Sequence, residues 1–176
     1  SNKNLYFFLK RICDLIFSIF LLIMTSPIVF LIGILIKIED GGPIFYSQIR
    51  SGLHEKPYKI IKLRSMIVNA ELNGPQWSFA NDSRLTNIGK IIRALRLDEL
   101  PQLLSVIKGD MSLVGPRPER PIFVDNLSKQ IPNYKIRSIL KPGLSGWAQV
   151  NYPYGSSHLD AENKLSYDIF YVKNIS

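Results

Sequence analysis

Residues 15–36 contain no charged side chain, and this apolar run constrains the fold of the 176-residue chain more than any other feature. As a helix the run would extend about 33 Å, which is enough to cross the hydrocarbon core of a bilayer. A removable signal peptide is shorter and ends in a small-residue cleavage site, a pattern that this run lacks. The sequence therefore predicts a membrane-associated helix, with the buried helix of a soluble protein as the alternative.

The dipeptide Ser26-Pro27 lies in the middle of the run. Proline has no backbone N–H and clashes with the preceding turn, so it kinks or breaks a helix. Each half would be about 18 Å long, too short to cross a bilayer alone. Basic residues on both sides, among them Lys10, Arg11 and Lys37, do not orient a span. We predict a re-entrant helix broken at Ser26-Pro27 with both ends on the cytoplasmic face, and a straight span is the alternative.

The composition favours an anionic partner. Lys and Arg number 22 against 14 Asp and Glu, which gives a formal net charge of +8. Nucleic acid, an anionic membrane surface and a phosphorylated substrate all fit this charge. Nucleic acid is the least favoured, because the basic residues are scattered and no known binding motif is present. The single cysteine, Cys13, excludes an internal disulfide, and two histidines with one cysteine do not suggest a zinc site.

Residues 41–176 predict a polar body with short elements. The segments "PIFYSQIR" and "YKIIKLRSM" flank a Gly52 turn and predict a β-hairpin. Helices are predicted over residues 67–72, after a Thr86 N-cap, and near the C-terminus, where Leu165 lies on an apolar stripe. Trp147 is predicted on a short strand. The aromatics of the loop "NGPQWSFANDS", Trp77 and Phe79, are expected in the core or at the membrane interface.

The fold class that follows is α+β, mostly helical with short strands or a small hairpin, plus the N-terminal re-entrant membrane helix. We divide the chain into residues 1–40, the membrane helix with its flanks, and residues 41–176, a cytoplasmic catalytic domain. The two parts are expected to act as one functional unit.

The segment "RLDELPQL" places two carboxylates, Asp98 and Glu99, side by side. The spacing of the leucines that follow predicts a helix over residues 99–108 that ends at Gly109. Asp98 is then at the N-cap, where backbone amides would keep its carboxylate ionised. The cap is one interpretation, and a nucleophile or a metal ligand is the other. Neighbouring side chains point about 100° apart on a helix, so the two acids cannot flank a glycosidic bond and two different roles fit better.

Arg117 stands between Pro116 and Pro118 in the segment "GPRPERP". The two prolines stiffen the chain on either side of the arginine. A guanidinium that is held in this way offers a two-pronged donor suited to phosphate oxygens. The alternative is an ordinary structural arginine in a turn.

Several motifs together resemble one family. "KRICD", the Ser-Pro dipeptide, "KLRSM", "LRLDELPQL", "GDMSLVGPRP", "KPGLSGWAQVN" and "YDIFYVKN" follow one another as in the bacterial sugar transferases that load polyprenyl phosphate, the monotopic phosphoglycosyl transferases. Each motif is weak by itself, but the ordered set covers nearly the whole chain. "GPRPERP" resembles the branch that transfers galactose- or glucose-1-phosphate, often as the C-terminal part of a longer protein. The family pattern also implies a further interfacial helix after "YVKN".

The resemblance implies an activity and a set of roles. Asp98 would be the nucleophile that attacks the sugar-bearing phosphate of a UDP-sugar, releases UMP and forms an aspartyl phosphosugar. Polyprenyl phosphate would then accept the phosphosugar. Asp98 and Glu99 would bind Mg²⁺, and Glu99 would otherwise assist proton transfer. The cations expected on the phosphates are Arg117, Arg93, Lys62 and Arg64.

The resemblance also implies a place in the cell and leaves alternatives open. It implies the cytoplasmic face of the bacterial inner membrane, contact with its lipids, and a homodimer as one arrangement. One alternative is a membrane-associated glycosyltransferase that moves the sugar alone and leaves UDP. The other is a non-catalytic membrane scaffold for polysaccharide assembly, in which the carboxylates would only form a cap.

Overall fold

The computed structural model describes residues 2–72, 74–78, 82–153, 155 and 157–175, and Phe79 lies outside these ranges. The helices of the described residues are α1 (Asn2–Asp40), α2 (Asn87–Ala94), α3 (Leu103–Lys108), α4 (Pro121–Gln130), α5 (Trp147–Asn151) and α6 (His158–Lys173). The strands are β1 (Phe45–Ser51), β2 (Pro57–Leu63), β3 (Ser112–Val114) and β4 (Gly143–Ser145). Short 3-10 helices cover Leu53–Glu55, Leu97–Gln102 and Tyr134–Ile139. The predicted α+β fold, mostly helical with short strands, is confirmed.

The strands form two small sheets. β1 and β2 pair antiparallel from Phe45 opposite Leu63 to Ser51 opposite Pro57, which confirms the predicted hairpin. β3 and β4 pair in parallel across a long connection. Two local predictions are wrong. Residues 67–72 form turns instead of a helix. Strand β4 ends at Ser145, and Trp147 begins α5 instead of lying on that strand.

Helix α1 runs through Ser26-Pro27 without ending, so the dipeptide does not break the helix as predicted. Pro27 has no N–H to donate to the carbonyl of Ile23, four residues earlier. The Ser26 hydroxyl donates to that carbonyl instead, at 2.9 Å. This hydroxyl therefore compensates the donor that the proline removes, and the helix continues across the dipeptide.

Both ends of α1 pack on the body. Near the N-terminus, Asp14 is buried and accepts hydrogen bonds from the Ser112 hydroxyl at 2.7 Å and from the Leu113 backbone N–H at 3.1 Å. Near the C-terminus, Ile32 and Ile36 are buried in one apolar cluster with Leu63 and Ile92. The side chains between these two contacts are largely exposed, including Phe20, Ile23, Met24, Phe30 and Leu31. By length and composition α1 is able to cross a membrane.

A second apolar cluster holds the C-terminal half of the body together. It contains Val124 and Leu127 of α4, Ile131, Tyr134 and Leu165 of α6. Leu165 is buried, as its apolar stripe predicts, and Trp77 packs against the cluster. The segment that carries Asp98 and Glu99 packs instead against β2 of the hairpin and against α1, α2 and α3.

Candidate active site

The segment that carries the two carboxylates is shaped by two local features. Arg96 has a left-handed backbone (φ 59°, ψ 17°) that turns the chain after α2. Pro101 cannot donate to the Leu97 carbonyl, a bond that an α-helix beginning at Leu97 would require. Residues Leu97–Gln102 form a 3-10 helix that leads into α3, in place of the single helix predicted for residues 99–108. The predicted end at Gly109 is confirmed by its left-handed backbone (φ 98°).

Asp98 lies inside this 3-10 helix and does not cap it. Arg96 occupies the cap position and makes no side-chain cap hydrogen bond. Burial leaves Asp98 only 5% exposed and raises the pKa of its carboxyl. The positive charge of Lys62 opposes this rise. The cap interpretation is therefore wrong, because Arg96 holds the cap position, and the charges that favour the ionised form of Asp98 are those of nearby cations.

Glu99 is the partner of two cations. Its Oε1 accepts from Lys62 Nζ at 2.8 Å and from Arg117 Nη2 at 2.7 Å, and its Oε2 lies 3.4 Å from Arg117 Nη1. Burial alone would raise the pKa of Glu99, but the charges of Arg117 and Lys62 outweigh burial and hold the pKa well below its usual range. Glu99 is therefore a fixed carboxylate that orients two cations beside Asp98.

The Asp98 carboxylate has a different environment from that of Glu99. Its pKa responds to the charges of Lys62, Glu99, Arg93 and Arg117, and among the described residues no hydrogen bond to the carboxylate accompanies them. A buried carboxylate that is surrounded by cations but not hydrogen-bonded keeps its lone pairs available. Such a group is able to attack an electrophile or to bind a metal ion.

The structure brings three of the four predicted cations to the carboxylates. Lys62 and Arg117 contact Glu99, and Arg93 influences the pKa of Asp98 while its Nε donates to the Ser65 hydroxyl at 2.9 Å.

Arg64 has a different position from the other three cations. Its guanidinium binds the Asp40 carboxylate at 2.5 and 2.7 Å and so joins the end of α1 to the end of the hairpin. Ser26 and Pro27 lie on the exposed part of α1.

The loop that carries Arg117 is anchored by its carbonyl oxygens. Four consecutive carbonyls each accept one hydrogen bond from a different part of the chain. The pairs are Pro116 with the Gly143 N–H at 2.9 Å, Arg117 with Arg137 Nη2 at 2.9 Å, Pro118 with Arg50 Nη1 at 3.0 Å, and Glu119 with the Ser51 N–H at 2.9 Å. Sequence reasoning missed Arg50 and Arg137. The two prolines could have indicated such partners. Proline has no backbone N–H, so a loop with two prolines must be held mainly through its carbonyl oxygens.

A divalent metal ion would need ligands from the substrate as well as the protein. Within the described ranges, no group of three or more His, Cys, Asp or Glu is arranged to hold a metal ion. Mg²⁺ is commonly bound by one or two carboxylates together with substrate phosphates and water. Asp98 and Glu99 fit that smaller protein share, since their carboxylates are adjacent and Asp98 keeps its lone pairs available.

Comparison with known proteins gives a consistent set of relatives. The family model described as "Bacterial sugar transferase" matches residues 5–176. A "UDP-N-acetylgalactosamine-undecaprenyl-phosphate N-acetylgalactosaminephosphotransferase" of Aeromonas hydrophila is 44% identical over 98% of this chain and 41% of its own length. A "UDP-glucose:undecaprenyl-phosphate glucose-1-phosphate transferase" of Caulobacter vibrioides is 39% identical over 95% of this chain and 63% of its own length.

A third relative is matched over a smaller share of its own length than the first two. The "Undecaprenyl-phosphate galactose phosphotransferase" of Salmonella typhimurium is 38% identical over 95% of this chain and 37% of its own length. The chain thus spans less than half the length of the Aeromonas and Salmonella relatives.

Proposed function

We propose, on the premise that the chain belongs to the bacterial sugar transferase family, that it transfers a sugar-1-phosphate from a UDP-sugar to polyprenyl phosphate. The observation that carries the proposal is the contrast between two adjacent buried carboxylates. Glu99 is bound by Lys62 and Arg117, whereas Asp98 lies among the same cations without a hydrogen bond of its own within the described residues. The names of the relatives, which include UDP-sugar donors and undecaprenyl-phosphate acceptors, support the choice of substrates.

In the first step, an Asp98 carboxylate oxygen attacks the phosphorus that bears the sugar. A new oxygen–phosphorus bond forms, and the bond from that phosphorus to the bridging oxygen of the diphosphate breaks. UMP leaves with the electron pair, and a mixed anhydride of Asp98 with the sugar phosphate remains. The ionised form of Asp98 is the one that attacks, so the neighbouring cations serve the reaction by opposing the effect of burial on its pKa.

In the second step, a phosphate oxygen of polyprenyl phosphate attacks the same phosphorus. The bond between Asp98 and phosphorus breaks, and the electron pair returns to the carboxylate. The product is a polyprenyl diphosphate sugar, and the enzyme regains its starting state. Two transfers at one phosphorus let each substrate use the same set of cations in turn.

The cations stabilise the negative charge of the diphosphate and of the leaving UMP. About a third of the Arg117 side chain is exposed, and its fork is already oriented by Glu99 toward the carboxylate pair. Lys62 is more enclosed and supplies a second positive charge from β2. Arg93 is the third cation beside Asp98. Preoriented charges of this kind lower the barrier because they need no rearrangement during the reaction.

Mg²⁺ would be held by Asp98 and Glu99 together with oxygens of the diphosphate. When bound, it would neutralise phosphate charge, a general requirement of phosphoryl transfer. Arg117 and Lys62 then keep Glu99 ionised, since their charges lower its pKa against the effect of burial. An ionised Glu99 is the form that binds a cation.

We also propose that both ends of α1 lie on the cytoplasmic face of the inner membrane. The contacts at Asp14 and at Ile36 support this topology, because one polar body binds both ends of the helix. A polar body cannot lie on both sides of a bilayer at once. The exposed apolar side chains between these contacts would then enter the lipid from one side.

Product analysis tests the transfer. The protein, reconstituted with undecaprenyl phosphate and Mg²⁺, is incubated with a panel of UDP-sugars, and the released nucleotide is identified. We expect UMP with at least one UDP-sugar, because the phosphate moves with the sugar. Asp125→Asn, which changes an exposed carboxylate of α4, is the matched control for Asp98→Asn and is expected to leave UMP release unchanged. Release of UDP would contradict the proposal and indicate transfer of the sugar alone.

A further inference from the structure

Arg117 depends on a loop whose backbone offers few donors. Pro116 and Pro118 have no N–H, so the flanking residues are held through their carbonyl oxygens. The carbonyl of Arg117 itself accepts from Arg137 Nη2 at 2.9 Å. The backbone of the residue whose guanidinium binds Glu99 is therefore fixed by a second arginine.

Arg137 is itself held on several sides. Its Nη1 donates to the Tyr134 hydroxyl at 2.7 Å, and its guanidinium lies 5.2 Å from the centre of the Tyr134 ring. Its Nη2 lies 2.9 Å from Oδ2 of Asp168, which is 1% exposed and belongs to α6. A planar guanidinium with this many partners is restricted to one orientation, so the hydrogen bond to the loop is directed.

The ion pair between Arg137 and Asp168 is costly to break. Both charges are buried, and removing one partner would leave the other without compensation. Burial raises the pKa of Asp168, and the charge of Arg137 opposes that rise. The pair joins α6 to the loop of residues 116–118, although α6 contributes no side chain to the carboxylate pair among the described residues.

The geometry points to Arg137 as a positioning residue for phosphosugar transfer, which fixes the backbone of Arg117 and is itself held by Asp168. This inference rests on the proposed function. Arg137 donates to a backbone carbonyl and not to the substrate. It would therefore affect the transfer rate only by setting the position of the Arg117 guanidinium. A displacement of about 1 Å at a group that binds the reacting phosphate is enough to lower the rate roughly 100-fold.

A double-mutant cycle tests the inference. The variants are Arg117→Lys, Arg137→Lys and the combination of the two, with Asp168→Asn as a second way to loosen Arg137. Lys135→Gln is the matched control, because Lys135 lies on the same 3-10 helix, is about half exposed and, among the described residues, forms an ion pair only with Glu55. The midpoint of thermal unfolding is measured for each variant, together with kcat and KM for UMP release.

We expect Arg137→Lys and Asp168→Asn to remain folded and to lower kcat/KM about 10- to 100-fold. The combined variant should be no worse than Arg117→Lys alone, because Arg137 acts through Arg117. If turnover of Arg117→Lys is undetectable, the same cycle is measured as the UDP-sugar dissociation constant in an Asp98→Asn background.

Three results would overturn the inference: effects of Arg117→Lys and Arg137→Lys that multiply, an Arg137→Lys variant as active as Lys135→Gln, or failure of both Arg137→Lys and Asp168→Asn to fold. Failure of the proposed function is a separate result, seen as the absence of UMP release by the unchanged protein.

Discussion

Asp98 and Glu99 are neighbours of the same chemical type, but their surroundings shift their pKa values in opposite directions. Burial raises the pKa of Asp98, whereas two direct cation contacts lower that of Glu99. The difference comes from geometry, since only Glu99 points its oxygens at Lys62 and Arg117. Glu99 therefore binds the two cations, and the Asp98 carboxylate remains available to react.

Arg117→Lys tests the value of the two-pronged contact. Lysine keeps the positive charge but offers one nitrogen where the guanidinium offers two in a fixed plane. We expect a loss of activity of roughly 100-fold or more, in line with the removal of one transition-state donor. The measurements are UMP release and the midpoint of thermal unfolding, which should change little because the side chain is partly exposed. Activity near that of the unchanged protein would reduce Arg117 to a turn residue.

At the scale of elements, α1 and the 3-10 helix of residues 97–102 depend on each other. Arg11 of α1 donates to the carbonyls of Val106 and Ile107, the last turn of α3, at 2.6 and 2.8 Å. α3 follows directly from the 3-10 helix that carries Asp98. The apolar helix α1 therefore contributes to the position of Asp98 through α3.

Asp14→Ala should loosen this contact. The substitution removes the acceptor of the Ser112 hydroxyl and of the Leu113 N–H, and these donors lie in a largely buried contact. We expect a loss of about 1–3 kcal/mol in the free energy of unfolding. Thermal unfolding in detergent measures this loss. Thr25→Ala is the control, since within the described part of the chain the Thr25 hydroxyl donates only to the Leu21 carbonyl of its own helix. An Asp14→Ala variant as stable as Thr25→Ala would mean that the contact does not hold α1.

The N-terminus of α6 provides a pH-dependent prediction. Ser157 and Asp160 form a capping box, and hydrogen bonds from the Ser157 side chain and backbone lower the pKa of Asp160. The folded pKa lies below the unfolded one of about 3.9, so the stabilisation is present above that value and is lost as the pH falls through the folded pKa. We expect Asp160→Asn to lower the unfolding midpoint at about pH 7 and to have a smaller effect near pH 3, where part of the stabilisation is already lost. An equal effect at both pH values would contradict this account.

Local patterns explain which elements were predictable. The hairpin, the Thr86 cap and the end of α3 at Gly109 each depend on residues within a few positions of one another. The Asp98 cap was predicted wrongly because the leucine spacing does not reveal the left-handed Arg96 that turns the chain first.

The distant contacts could not be predicted from the sequence. Asp40 with Arg64, and Asp168 with Arg137 and the Arg117 carbonyl, join residues that only the tertiary fold brings together. Arg64 was expected on a phosphate because of the resemblance of its motif, in which it stands two residues after Lys62. β2 ends at Leu63, so Lys62 is held on the strand beside the carboxylates, whereas Arg64 lies beyond the strand and binds Asp40 at the end of α1.

At the scale of the whole molecule, the chain combines a long apolar helix, with many exposed apolar side chains, and a basic polar body. The net charge of +8 suits an anionic membrane surface and anionic substrates. Because both ends of α1 pack on the body, the carboxylate pair is expected to lie near the membrane surface. Such a site is accessible to a soluble UDP-sugar and to a lipid-linked phosphate.

The side of the membrane on which each end lies is measurable in cells. In a Cys13→Ser background, single cysteines replace Leu5, before the apolar run, and Leu72, on the body, both of which are exposed. Re-entry predicts that a membrane-impermeant thiol reagent reaches both positions only from the cytoplasmic side. Labelling of the two positions from opposite sides would mean that α1 spans the bilayer.

The central claim is that Asp98 carries the phosphosugar between the two substrates, and intact-protein and peptide mass spectrometry tests it most directly. The protein is incubated with UDP-sugar and Mg²⁺ in the absence of lipid acceptor. We predict one added phosphosugar on the peptide that contains Asp98, lost on addition of polyprenyl phosphate and absent from Asp98→Asn, which should fold normally because Asp98 caps no helix. A protein that transfers phosphosugar to the lipid but forms no adduct and does not exchange UMP into UDP-sugar would contradict the claim.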